Sequence, residues 1–257
     1  MIKVEHIYKS FDGKQVLKDI STTFDKGKTN LIIGRSGSGK TVLVKNVIGL
    51  YKPDSGQILY DDRNIITMRK KELNRLRREM GMLFQGSALF DSMTVKENVM
   101  FPLVMFSNDS KKEKEKRARF CLERVNLKDA ENLYPGEISG GMMKRVAIAR
   151  AIALNPKYLF CDEPNSGLDP KTSLLIDDLI HDLTKEYQMT TVINTHDMNS
   201  VMNIGEKIIF INEGRKAWEG NKDEIMHSTN KELNDFVFAS DLFKKVKEVE
   251  NSMHEEG

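Results

Sequence analysis

The stretch Leu31-Ile-Ile-Gly-Arg-Ser-Gly-Ser-Gly-Lys-Thr41 decides the reading of this chain. Three apolar residues end at Gly34, and a glycine-rich turn then runs into Lys40 and Thr41, matching Gly-x-x-x-x-Gly-Lys-Thr at every fixed position. Backbone N–H groups wrap a polyphosphate only where no side chain blocks their approach, which explains Gly34, Gly37 and Gly39. A helix starting near Lys40 aims its N-terminal N–H groups and dipole at the same anion. Lys40 is expected at the β- and γ-phosphates of a bound nucleotide and the Thr41 hydroxyl on Mg²⁺. Arg35, Ser36, Ser38 and Val42 belong to the same binding segment. The apolar run 28–33 before the loop and a helix over 42–50 after it supply the strand–loop–helix setting the motif requires.

Composition sets the bounds. The 257 residues suit one large domain or two small ones, and 39% hydrophobic with 30% charged residues is an ordinary globular balance. A net charge of +2 argues against a dedicated nucleic-acid binder. Two cysteines, Cys121 and Cys161, make no disulfide framework and suit a reducing compartment. No apolar run approaches the roughly 18 residues that cross a bilayer, and no signal-peptide core opens the chain. Work at a membrane would therefore need a partner to hold the chain there.

From the N-terminus, 2–7 reads as a strand, 8–14 as a turn and 16–24 as a second strand. Phe11, in that turn, could stack on a flat base or simply pack beneath the turn. A turn at 53–56 leads into a short strand, 57–60. The basic helix 69–78 reads as a solvated face, with acidic lipid as the other possibility. A strand, 81–85, ends on Gln85, and the following 87–106 is too apolar and methionine-rich for a free loop. A charge run opens a helix over 111–125. Ser139, Gly140 and Gly141, before a helix over 143–154, make a second anion site in principle. The strand 158–161 runs into Asp162 and Glu163. Two carboxylates at a strand end in such a protein bind Mg²⁺ and polarise the attacking water, respectively. Asp169 precedes a helix over 171–187. The strand 190–194 then runs into Thr195 and His196, a third strand end carrying a polar group. A hairpin turns at 212–215, and 221–253 reads as helical and charged, with a polar tail at 252–257.

In this order, the motifs resemble the ATPases of ATP-binding-cassette (ABC) systems. The resemblance covers about 2–220 and rests on Gly34 to Thr41, Gln85, Ser139-Gly-Gly-Met142, Tyr158 to Glu163, Ser166-Gly-Leu-Asp169 and His196. It implies an α/β fold of the P-loop NTPase kind, with a largely parallel core sheet, a small antiparallel β subdomain and a helical subdomain over about 86–155. An ATPase domain over 1–228 and a helical, charged extension over 229–257 follow. The cofactors implied are ATP and Mg²⁺, with Thr41, Gln85 and Asp162 around the metal. By the same resemblance Phe11 stacks on adenine, and Gln85 senses Mg²⁺ and the γ-phosphate. Ser139, Gly140 and Gly141 reach the nucleotide of a second copy. Glu163 is the catalytic base, His196 the γ-phosphate switch, and Asp169 signals across the dimer. Ile138 and Met142 depart from the usual Leu-Ser-Gly-Gly-Gln signature.

Residues 83–103, with the Gly-Gly-Met signature, are similar to the ATPases of Mla-type phospholipid transporters. That similarity implies a membrane permease docking near 86–106, a lipid-binding protein, a small regulatory subunit, and a place on the cytoplasmic face of the inner membrane. Amino-acid and metal importers are the alternative among transporters. A soluble ABC ATPase of DNA repair or the ribosome fits less well, because there is one cassette, no heptad run and no Cys-x-x-Cys.

Overall fold

The chain opens with a hairpin of β1 (Ile2–Phe11) and β2 (Lys14–Phe24) in the computed structural model, which describes residues 1–239. Asp12 and Gly13 alone make its turn, with φ of 48° and 77°, the left-handed pair that an Asp-Gly turn supplies. The turn expected over 8–14 is thus two residues long. Bulges break the alternation of β1 between Val4 and Lys9, with His6 at φ 51°, and these hide the strand's continuation.

Then come β3 (Thr29–Ile33), α1 (Lys40–Val47), β4 (Ser55–Tyr60) and β5 (Arg63–Asn64). The helix α1 stops short of residue 50 because Gly49 takes a φ of 70°. Next are α2 (Lys70–Arg78), β6 (Met80–Leu83), α3 (Val95–Phe106), α4 (Lys111–Arg124) and α5 (Gly140–Ile152). The last third runs β7 (Tyr158–Asp162), α6 (Pro170–Tyr187), β8 (Thr190–Asn194), α7 (Met198–Ile204), β9 (Lys207–Asn212) and β10 (Arg215–Gly220). Two short helices follow, α8 (Lys222–Met226) and α9 (Lys231–Val237).

Two sheets result. One is antiparallel, in the order β2-β1-β4-β5; the other has the order β10-β9-β3-β8-β7-β6 and is parallel except for β10. Strand β3 is buried along its whole length, as a parallel strand covered on both faces must be. Its alternate residues face different cores. Ile32 packs with α1 and the antiparallel sheet, whereas Leu31 and Ile33 join the core built on α5, α6 and the helical subdomain.

The expected helical subdomain is α3, α4 and α5. Capping boxes start α3 and α4, from Thr94 with Glu97 and from Ser110 with Glu113. Val95, Val99 and Leu103 turn one face of α3 into the core. On α2 only Leu76 is buried and the Lys and Arg side chains are exposed. The long charged helix expected over 221–253 is not continuous. Asn221 and Asn230 each cap a short helix of their own, and the expectation beyond residue 239 lies outside the described residues. Leu233 and Val237 of α9 are buried, and Phe236 stacks on Phe210 with ring centroids 5.3 Å apart.

Candidate nucleotide site

Open parallel sheets bind ligands beyond the carboxyl ends of their strands. Here β3 ends at the loop 34–39, β6 runs out to Gln85, β7 ends at Asp162 and Glu163, and β8 runs out to Thr195 and His196. Four strands therefore carry the expected residues to one edge of one sheet.

The loop is fixed by close approach. A Cβ on Gly34, whose φ is 147°, would lie 2.2 Å from the Ile211 carbonyl oxygen at the end of β9. Gly39 caps α1 at φ 107°, with Leu17 3.0 Å from where its Cβ would be. Lys40 is buried, and its ammonium donates to the carbonyls of Gly34 at 2.7 Å and Arg35 at 3.1 Å. Burial lowers its pKa from the ordinary lysine value, while the charges of Glu163 and Asp162 oppose that shift. The Ser38 hydroxyl is buried without a hydrogen-bond partner, an unspent polar group inside a nest of backbone N–H groups. Together with the hydroxyl and carboxylate oxygens of Thr41 and Asp162, this set fits a nucleotide phosphate and a hard cation such as Mg²⁺.

Asp162 and Thr41 are joined by a residue that motif reading passed over. The Asn194 amide donates to Asp162 Oδ1 at 2.6 Å and to Thr41 Oγ1 at 3.3 Å. The register of β7 and β8 puts Asp162 directly opposite Asn194. Its signal in the sequence was a lone amide closing an otherwise Thr, Val and Ile strand.

Glu163 has φ 49°, a left-handed conformation that a non-glycine residue keeps only where its surroundings enforce it. Its N–H donates to the Asn194 carbonyl at 2.9 Å, and its Oε1 lies 2.8 Å from Nδ1 of the exposed His196 ring. Gln85 donates to Ser166 Oγ at 3.3 Å. The backbone after Gln85 is held by α5. Lys144, only 4% exposed, donates to the Gln85 carbonyl, and Arg150 donates at 2.6 Å to the carbonyls of both Ser87 and Ala88. Ser87 and Ala88 are both left-handed, at φ 60° and 49°. Burial lowers the pKa of Lys144 and of Arg150. Sequence reading missed both cations, whose only trace is basic residues among the alanines and isoleucines of α5.

Other expected residues stand elsewhere. Ser139 caps α5, accepting from Met142 N–H at 3.3 Å. Gly140 and Gly141 back onto the start of α6, where Cβ atoms would lie 3.8 Å from a Leu168 methyl and 2.7 Å from the Thr172 methyl. Met142 packs on the helical core. Asp169 caps α6, accepting from Thr172 N–H at 3.0 Å. Phe11 stands at the hairpin tip, 38% exposed, edge-on to Tyr51 at 5.3 Å and with the Lys9 ammonium 5.2 Å over its ring.

Between α2, α3 and α5 runs a groove of about 760 Å³, lined by Phe84, Phe90, Phe101, Phe106, Arg77 and Arg78 among others. Phe90 is 40% exposed and meets Phe101 at 4.7 Å, and Arg78 lies 5.5 Å over the Phe106 ring. Buried Asn98 braces the loop ahead of α3, accepting from Phe90 N–H at 2.8 Å and donating to the Phe90 and Met93 carbonyls at 3.1 Å.

The model of the ABC transporter family matches residues 17–166. The methionine import ATP-binding protein MetN of Clostridioides difficile is 37% identical over 92% of this chain and 74% of its own length. The arginine transport ATP-binding protein ArtM of Bacillus subtilis is 39% identical over 92% of this chain and 98% of its own. Of the MetN proteins of Yersinia pestis the chain spans 66%. Among solved structures, the dimeric ATP-binding cassette MJ0796 bound to ADP and Pi superposes with a TM-score of 0.78 at 34% identity, over 86% of this chain and 99% of that one. CbiO1 of Clostridium perfringens, part of the ABC transporter complex cbiONQ, reaches 0.84 at 31% identity, over 97% and 98%.

Proposed function

The chain belongs to the ABC transporter family, an ATPase subunit, and on that premise we propose how its residues divide the work. One observation carries the reading: the phosphate loop, the Asp162–Asn194–Thr41 group and the Glu163–His196 pair converge at the carboxyl ends of adjacent parallel strands. Lys40 exchanges the Gly34 and Arg35 carbonyls for the β- and γ-phosphates. Thr41, Asp162 and Gln85 would hold Mg²⁺, which neutralises phosphate charge, and Asn194 orients the first two. Glu163 takes the proton of the attacking water, and His196 holds its carboxylate in place. Phe11 faces the adenine. Gly141 is buried against Thr172 of α6, while Ser139 and Gly140 are exposed and would offer this loop to the nucleotide of a second copy, a reading supported by the dimeric MJ0796 cassette.

The groove between α2, α3 and α5 is the docking place we assign to a membrane permease. Among the described residues, no helix is long and apolar enough to cross a membrane. The groove's wall includes Ala88 and Arg150, and Lys144 and Arg150 tie the backbone from Gln85 to Ala88 onto α5, so that γ-phosphate sensing at Gln85 and permease movement would share one piece. The permease would hold the chain at the cytoplasmic face of the inner membrane.

For the cargo, similarity to MetN and ArtM favours amino-acid import. The Mla-type reading, phospholipid moved with a lipid-binding protein and a small regulatory subunit, is the second, supported by the resemblance of residues 83–103 and the Gly-Gly-Met signature. Purification with the native permease separates them. Importer function predicts ATPase stimulation in proteoliposomes by an amino-acid-loaded binding protein and no enriched lipid. Lipid transport predicts phospholipid co-extracted with the complex and no response to amino acids. ATPase activity indifferent to any permease would overturn both.

A further inference from the structure

Beneath the Glu163–His196 pair lies a buried polar group that catalysis does not use. Asn165, two residues past Glu163, donates both amide hydrogens, one to Asp177 Oδ1 at 2.8 Å and one to Ser200 Oγ at 2.9 Å. Asp177 belongs to α6, and Ser200 to α7, one helical turn past His196. All three side chains are buried, Asp177 and Ser200 to 1% exposure and Asn165 to 8%. One amide therefore cross-links the segment carrying the base to the helix that follows its histidine.

We propose that Asn165, anchored by Asp177, is a positioning residue that fixes the backbone on both sides of the Glu163–His196 contact. The inference rests on reading Glu163 as the base. Three features favour positioning over mere filling. Glu163 sits at φ 49°, a strained conformation that needs support from the residues next to it. Among the described residues no ion pair includes Asp177, and a buried carboxylate without a cation costs stability that an apolar side chain would not. The two N–H groups of Asn165 go to two different helices, α6 and α7, so the amide spans them rather than filling one pocket.

Displacing a base by about 1 Å costs on the order of a hundredfold in rate. Asn165→Leu should therefore lower kcat by about tenfold to a hundredfold, with KM for ATP moving less than about twofold, because the phosphate loop is untouched. Asn165→Asp sets a second carboxylate against Asp177 and should be impaired likewise. Adding Asp177→Asn to it exchanges donor and acceptor and should restore at least about half of the wild-type kcat. That rescue is read between two polar variants of one size, so it decides the matter even if Asn165→Leu fails to fold. Wild-type kcat in Asn165→Asp, or a double variant no better than the single, overturns the proposal. Glu163→Gln separates the layers: full turnover there removes the reading beneath, whereas an inactive Glu163→Gln beside an unimpaired Asn165→Asp removes the positioning role alone.

Discussion

Asp177→Asn should change how stability depends on pH, and the size follows from the structure. Burial pushes the Asp177 carboxyl from an ordinary 3.8 up to about 6, and the like charges of Asp197 and Asp178 add to the rise, while hydrogen bonds from Ser200 and Asn165 oppose it. Burial raises the Cys161 thiol on β7, and the nearby charge of Asp177 adds to that rise. The fold thus holds the Asp177 proton more tightly than the unfolded chain does. Below pH 3.8 both states are protonated and the group is neutral to stability. Between 3.8 and 6 the unfolded chain ionises first, so stability falls as pH rises; above 6 the full penalty, about 3 kcal/mol, is present. About 1.4 kcal/mol of it develops between pH 5 and pH 7.5. An asparagine carries no such penalty, although its new N–H group inherits the site of the partnerless Oδ2 and costs about 1–3 kcal/mol if left unpaired. That cost is independent of pH. The variant-minus-wild-type stability should therefore grow by about 1.4 kcal/mol from pH 5 to pH 7.5, whatever its offset. Urea unfolding of both proteins at several pH values measures it, and a difference that stays flat would refute the assignment.

Other outcomes follow from the same geometry. Gly34→Ala places a Cβ 2.2 Å from the Ile211 carbonyl and should abolish ATP binding, checked by a fluorescent nucleotide titration. Phe90→Ala should leave folding and ATP affinity intact and weaken permease capture by roughly 2–4 kcal/mol, the scale of an interface hot spot. Joint loss of thermal stability and ATP binding would instead make Phe90 a core residue. Ser139→Arg should spare nucleotide binding by the single chain and abolish hydrolysis. Mixed with Lys40→Ala, it should regain part of its activity, because one composite site of the heterodimer stays intact.

What was legible in the sequence was local. The strand, loop and helix from residue 29 to residue 47 carry their own signals, as do Asp162 and Glu163 at the end of an apolar strand. What escaped depends on register and on packing between distant segments. Asn194 matters because it lies opposite Asp162, and Asn165 because α6 and α7 bring Asp177 and Ser200 to it. Lys144 and Arg150 are silent until α5 is laid against the loop 85–88. The division of α3 was half legible. Val95, Val99 and Leu103 recur at helical spacing, but the opposite face is apolar too, so periodicity alone could not separate core from groove.

Single-turnover ATP hydrolysis by Glu163→Gln tests the central claim most directly. Nucleotide affinity should stay within about twofold of wild type, because Lys40 and the loop are unchanged, while the rate falls by about two orders of magnitude or more, as loss of a general base requires. ATP-bound dimers should accumulate in the same sample. A rate near that of wild type would contradict the assignment of Glu163 as the base and of His196 as the residue that holds it.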